Sequence, residues 1–499
     1  MIAPPEGTVR SWLDDRAEGA QRDRLAFRFF DDAVANLSWG ELRDRARRLA
    51  AGLTAAGYAK GESVAIMMPN GSAGVIAVYG ALYGGFRATV LNLAAGDDAI
   101  AYALDHSEAR VALVGAAQTD QFASCSKGLH IDTFDGATGA AALHPLSGND
   151  AALLMYTSGT TGRPKGVLHS HRSLLAGGWT TTIAHDLGPD DCGLCVLPIC
   201  HINGLCVTVI GGLISGGTIA MAPRFSARRF WGQIADAQAT WFSVVPTIIS
   251  HLLHGDANPS ADCQRRLRFG RSASSALSPD IHQAFQDRFA VCVIETMGLT
   301  ETAAQILSNP LPPGVQKIGS PGVAFGNDVR ILDDNQHPVP PMTQGEIAVR
   351  GPNVMVEYFK NPDATAATID AAGWLRTGDL GHLDDDGYVF VTGRLKELII
   401  KGGENIAPRE VDDALYSHAD VVEAAAFARP SDVYGETVEA AVVLRDGSSL
   451  SETDLLEVCK SRLGSFKCPD AVHILDALPK GPSGKIQRRN VASLTSLPK

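Results

Sequence analysis

The sequence predicts an α/β protein. A large N-terminal domain of α/β layers carries a β-rich subdomain and is followed by a small α+β C-terminal domain. Three observations carry this expectation. From about residue 40 to 320, short apolar runs alternate with amphipathic stretches and Gly-rich turns, the texture of parallel strands covered by helices. After about residue 325, strand-like runs succeed one another with turns between, and the last hundred or so residues return to mixed α and β. The chain has 499 residues, 45% hydrophobic and 20% charged, enough to bury large cores in more than one domain.

In chain order, GESVAIMMPN, ARVALVG, DAALLMYTS, TIAMA, TWFSVV and LRFGRS are the first strands. SPDIHQAFQDRF is a helix, because Ile281, Phe285 and Phe289 recur every fourth residue. NDVRILDDNQHPV, GEIAVRG and DDDGYVFVTGRLKELII are later strands, with Asp386-Gly387 as a hairpin turn. APREVDDALYS starts a helix at Pro408. VVEAAAFARP and VEAAVVLRDG are strands, and SETDLLEVCKSRL is a helix opened by the capping pair Ser451 and Asp454. The domain boundary is expected near Gly393–Lys396, giving domains 1–393 and 394–499.

Charge and targeting signals narrow the class. The formal charge of −12 excludes a nucleic-acid binder that relies on overall positive charge. No apolar run reaches the about 18 residues of a membrane span, and the N-terminus lacks a secretory pattern. A cytoplasmic protein without membrane insertion, monomeric or homodimeric, is expected. Nine cysteines are an odd number, which argues against a disulfide framework. Cys192, Cys195, Cys200 and His201 include a CxxC pair. The run is apolar and no second pair comes after it, so core packing is the favoured reading over a zinc site.

The most informative segment is YTSGTTGRPKGV at 156–167. A strand-like run leads into glycines, hydroxyl residues and a lysine. Glycine lets backbone N–H groups turn toward an anion, hydroxyls add donors, and Lys165 adds charge. The composition suits a triphosphate, yet it is not the Walker A pattern.

This segment resembles the phosphate-binding signature of the adenylate-forming (AMP-binding) superfamily, in its acyl-CoA synthetase branch. Further motifs stand in the family's order: GLTE at 298–301, LRTGD at 375–379, GRLK at 393–396 with IIKGGENIAPREVD after it, and PSGK at 482–485. The resemblance implies two steps. A carboxylate attacks the α-phosphate of ATP, forming an acyl-adenylate and releasing pyrophosphate. A thiol then attacks the acyl carbon. The first nucleophile is already an anion, so positioning and charge neutralisation carry the catalysis.

The same resemblance distributes the roles. Thr157, Ser158, Gly159, Thr160, Thr161, Gly162 and Lys165 would hold the β- and γ-phosphates. Thr300 would contact the α-phosphate and Glu301 would hold Mg²⁺. Asp379 would accept the ribose hydroxyls, and Arg394 would donate to ribose or phosphate. Lys485 would be the catalytic lysine, Lys396 the hinge, and Gly402 and Gly403 the lining of a CoA tunnel. Ser274 and Met297 would border the adenine. Met297 departs from the family's usual aromatic residue and offers a thioether instead. His201, Asn203, Ser272, Ala273 and Gly298 would shape the acyl pocket, with His201 as a catalytic gate.

Two acceptors fit the resemblance. GGENIAP and His201-Ile202-Asn203-Gly204 resemble CoA ligases; the alternative is a stand-alone enzyme loading a carrier protein. Arg271-SASSALSP and Leu307-SNPLPPG resemble oxalate–CoA ligases, although Ala304 stands where that group carries a histidine. A small or polar acid, dicarboxylic acids included, is expected first and an aryl acid next. Arg271 is a candidate partner for a second carboxylate, but strand alternation points it away from Ser272's face, which favours a structural role. Lys396→Pro is expected to slow thioester formation more than adenylation, measured as separate half-reactions; unchanged thioester formation refutes the hinge.

Overall fold

A strand covered on both faces needs no polar alternation, and Ser-Val-Ala-Ile-Met at Ser63–Met67 is buried throughout. The computed structural model describes residues 3–126, 128–134, 141–157, 164–481 and 484–495. Among these residues the strands form four sheets. Ser63–Met67 lies within a seven-stranded sheet, parallel to Arg87–Val90 on one side and Val111–Val114 on the other. The opposite end of that sheet is the antiparallel hairpin Ala151–Thr157 and Lys165–Ser170, flanked by the short strand Glu357–Tyr358.

A nine-stranded sheet stands beside it. Its parallel centre runs Thr218–Met221, Cys192–Cys195, Trp241–Val244, Phe269–Ser272 and Val293–Leu299. The predicted helix forms at Pro279–Phe289 and buries Ile281, Phe285 and Phe289. The β-rich subdomain is the four-stranded antiparallel sheet Asp328–Leu332, Gly345–Arg350, Leu375–Leu383 and Val389–Arg394. Its last hairpin turns at Asp386-Gly387 as predicted. Gly387 has a φ of 82°, and the Asp384 carboxylate accepts the N–H groups of Asp386 and Tyr388.

The C-terminal residues have a core of their own, built from Ile399, Val411, Leu415, Val421, Val438, Leu455 and Val472 among others. Pro408 opens one of its helices, and Ser451 caps another reciprocally with Asp454. This unit docks on the N-terminal helix Pro246–His254. The Ser250 hydroxyl donates to the Val422 carbonyl, His251 Nε2 lies 2.9 Å from a Glu423 oxygen, and Thr247 donates to the Gly484 carbonyl at 2.9 Å. The strand Val389–Arg394 runs through the expected boundary, so Arg394 still belongs to the four-stranded sheet.

The segment after the CxxC pair is less regular than its apolar texture suggests. Asn203–Ile210 is a π-helical turn, a form that often marks functional sites. Gly204 makes it possible: a Cβ there would lie 2.3 Å from the Pro198 carbonyl oxygen. The Cys195 and Cys192 thiols each face a backbone carbonyl, of Leu197 and Ala237 respectively. Gly298 is set by packing too. Its Cβ would sit 1.8 Å from the Ala304 oxygen, across the hairpin that carries Thr300 and Glu301. Gly298→Ala is therefore expected to destabilise the protein by about 2–3 kcal/mol; an unchanged denaturant midpoint refutes this.

Candidate active site

The phosphate-loop residues Ser158, Gly159, Thr160, Thr161 and Gly162 lie outside the described residues. Their two flanks do not. Thr157 and Lys165 are cross-strand partners at the mouth of the hairpin, so the loop springs from a fixed base. The Lys165 ammonium rests 4.3 Å from the centroid of the Tyr358 ring. Thr300 and Glu301 sit in a single 3₁₀ turn, Thr300–Thr302. That turn is clamped from three directions. His169 Nε2 donates to the Thr300 carbonyl at 2.7 Å, the Met355 N–H to the Glu301 carbonyl at 2.8 Å, and the Tyr358 hydroxyl to Glu301 Oε1 at 2.8 Å. Burial holds His169 down to about 4, so it is neutral and its tautomer is fixed by these partners.

Asp379 and Arg394 face each other across adjacent strands, with Nε 2.5 Å from Oδ1. The attraction of Asp379 is the largest influence on the Arg394 guanidinium and keeps it charged. Lys485 reaches the same place on the C-terminal tail. Burial, and then Arg394, lower its ammonium to about 8 against the opposing pull of Asp379, Glu397 and Glu301. His201 is held at about 4, first by burial and then by Lys485, and its Nε2 has no partner among the described residues. The sequence motifs, far apart in the chain, thus converge on one site.

A second polar cluster, at the expected acyl-pocket residues, is organised by Asn203. Its Oδ1 accepts from Arg271 Nη1 at 2.9 Å and from the Ser243 hydroxyl at 3.1 Å, while its Nδ2 donates to Ser274 at 3.3 Å. Arg271 Nε also donates to Gln305 Oε1 at 3.2 Å. Alternation does place Ser272 on the other face of the strand, and Ala273 is buried behind it. The face that Arg271 takes, however, is that of Asn203. Arg271 is 1% exposed, and among the described residues no carboxylate pairs with it. Burial drags it to about 9. Met297 is half-buried against the core of the four-stranded sheet. Lys396, Gly402 and Gly403 are exposed. The two glycines form a hairpin turn with φ of 60° and 88°.

Glu301 suits a hard cation. Its Oε2 has no partner among the described residues, and these contain no group of three His, Cys, Asp or Glu side chains able to hold a metal. A divalent ion there would draw its remaining oxygens from phosphates and water, as magnesium does in nucleotide sites. Tyr358, His169, Ser243 and Gln305 were not expected from the sequence.

Residues 13–359 match the family described as AMP-binding enzyme, and residues 410–485 match the AMP-binding enzyme C-terminal domain. The chain belongs to the AMP-binding enzyme family. It is 43% identical over 473 residues to a sulfoacetate–CoA ligase of Cupriavidus necator, covering 92% of each chain. It is 36% identical over 483 residues to an oxalate–CoA ligase of Arabidopsis thaliana, covering 92% of this chain and 93% of the other. Its structure aligns with o-succinylbenzoate CoA synthetase (MenE) of Bacillus subtilis in complex with ATP and magnesium. The TM-score is 0.85 at 29% identity, over 96% and 99% of the two chains. The protein is an acid–thiol ligase, an AMP-forming acyl-CoA synthetase that uses ATP, Mg²⁺ and coenzyme A. Among the described residues no helix of the ligase is long and apolar enough to cross a membrane.

As the catalytic lysine that the sequence motif implies, Lys485 would serve adenylation in its charged form. With its ammonium near 8, kcat/KM for ATP in pyrophosphate exchange is expected to fall about tenfold per unit above about pH 8. Lys485→Arg is expected to remove that limb, and a limb of unchanged position in this variant refutes the assignment.

Proposed function

We propose that the ligase activates a small carboxylic acid carrying a second anionic group. The observation behind this is the buried Arg271 guanidinium, bound by three neutral acceptors and no counter-ion among the described residues. A buried cation without an opposing charge is costly. The cost falls when an anion arrives, and a planar guanidinium fork suits a carboxylate or a sulfonate. Three acids named for relatives, sulfoacetate, oxalate and o-succinylbenzoate, each carry two acidic groups.

In this reading the substrate's distal anion meets Arg271 with Asn203 and Ser274 beside it. Its reacting carboxylate then points past His201 toward Lys485. Lys165 and the loop before it take the β- and γ-phosphates, Thr300 the α-phosphate, and Asp379 with Arg394 the ribose. Glu301 is the chain's ligand to magnesium, which when bound supplies positive charge to the phosphate oxygens. The carboxylate oxygen attacks the α-phosphorus and pyrophosphate leaves. Lys485 offsets the charge that builds on the α-phosphate and on the attacking carboxylate.

The exposed Gly402-Gly403 turn stands away from this site, while Lys485 stands in it. We read the arrangement as the adenylating one, with domains 1–393 and 394–499 rotating about Lys396. Rotation would withdraw Lys485 and bring the glycine turn toward the acyl-adenylate, where the CoA thiol attacks the acyl carbon and AMP leaves.

A panel of acids assayed with ATP and CoA tests the substrate class. Sulfoacetate, oxalate and longer dicarboxylates are expected to be turned over well ahead of acetate and propionate. Arg271→Met is expected to lower kcat/KM for the preferred dianion by roughly 10- to 150-fold, the loss of a charged hydrogen bond, and to leave acetate nearly unaffected. Equal preference for acetate in the wild-type enzyme, or equal losses for both acids in the variant, overturns the reading.

A further inference from the structure

We infer that Tyr358 is a positioning residue for adenylation, tying the carboxylate of Glu301 to the lysine of the phosphate loop. The side chain is 6% exposed and lies between two charged groups. Its hydroxyl donates to Glu301 Oε1 at 2.8 Å, and its ring face lies under the Lys165 ammonium at 4.3 Å. Both contacts are set by the backbone. Tyr358 pairs with Val167 in the sheet, two residues from Lys165, and the next N–H, of Phe359, donates to the Gly166 carbonyl at 2.7 Å. Lys165 and Tyr358 line one open cleft with His106 and Lys360.

The chemistry of this arrangement is specific. A carboxylate that accepts a hydrogen bond on one oxygen presents the other, which favours single-oxygen ligation of a small octahedral cation. The electron-rich ring holds Lys165 without neutralising it, so its charge stays available to phosphate. One side chain thereby sets the distance between the metal carboxylate and the loop cation. The inference rests on the reading of Glu301 as the magnesium ligand.

The test measures binding of α,β-methylene-ATP to the intact enzyme by calorimetry while Mg²⁺ is titrated. Tyr358→Phe removes the hydroxyl and keeps the ring. It is expected to raise the Mg²⁺ concentration at half-effect by about tenfold and to leave Mg²⁺-free nucleotide binding unchanged. Thermal midpoint and thioester formation from supplied acyl-adenylate are expected to match the wild type. Tyr358→Leu also removes the ring and is expected to weaken Mg²⁺-free binding by about two- to fivefold. Glu301→Gln separates the metal site from its positioning. If it leaves the Mg²⁺ dependence unchanged, the metal assignment falls and the inference with it. If Glu301→Gln shifts that dependence and Tyr358→Phe does not, the inference alone is overturned.

Discussion

The ion pair between Asp379 and Arg394 is the fixed point from which the rest of the site is measured. Asp379 is almost fully buried, with 7% of its side chain exposed, and a carboxylate in that setting requires a charged or hydrogen-bonded partner. Arg394 supplies one from the register position opposite. The pair therefore locks the last strand of the four-stranded sheet at the residue where the chain leaves it. The turn bearing Lys396 begins immediately afterwards. The chain before Arg394 is held by a sheet, and the chain after it by docking contacts that centre on the helix Pro246–His254. Lys485 is carried opposite the pair by that docking, together with Arg409, which donates to the Val391 and Gly319 carbonyls, and the Arg462–Asp280 ion pair.

Around this point a chain of net charge −12 assembles cations from three independent elements. Lys165 comes from a hairpin, Arg394 from a sheet edge and Lys485 from the C-terminal tail. Their environments keep them usable. Lys165 lies over an aromatic ring rather than against a carboxylate, and Lys485 sits among charges of both signs. Oriented charges that need no rearrangement when phosphate negative charge develops are the largest contribution an enzyme of this kind makes. In the proposed reading, Arg271 extends the same logic to the substrate end of the site.

Much of this was legible in the sequence. Apolar runs, the four-residue spacing of Ile281, Phe285 and Phe289, the Asp-Gly turn and the Ser451 cap depend on neighbours close in the chain, and each appears where it was expected. The motif residues Thr300, Glu301, Asp379, Arg394 and Lys485 converge because the family pattern fixes their order and chemistry. Other partners had no local signal. His169 meets Thr300 across 131 positions, and Tyr358 meets Glu301 across 57. Strand alternation set the side of Arg271 relative to Ser272. It could not show that the π-helical turn at Asn203 crosses over that side, because the turn depends on Gly204 fitting against Pro198. Glu295 is similar: its Oε1 accepts the Leu277 N–H, its Oε2 is buried without a described partner, and burial raises it to about 7.

The guanidinium of Arg271, which has no counter-ion among the described residues, also has a thermodynamic meaning. A buried charge met only by neutral acceptors is costly to desolvate, so in the proposed reading Arg271 lowers the stability of the free ligase. Any ligand that binds the folded state alone stabilises it in proportion to its affinity and concentration. An anion that relieves this charge therefore restores stability that an uncharged analogue of the same shape does not. In the proposed reading, selectivity for the acid is in this sense stability that the free protein gives up until the matching charge arrives.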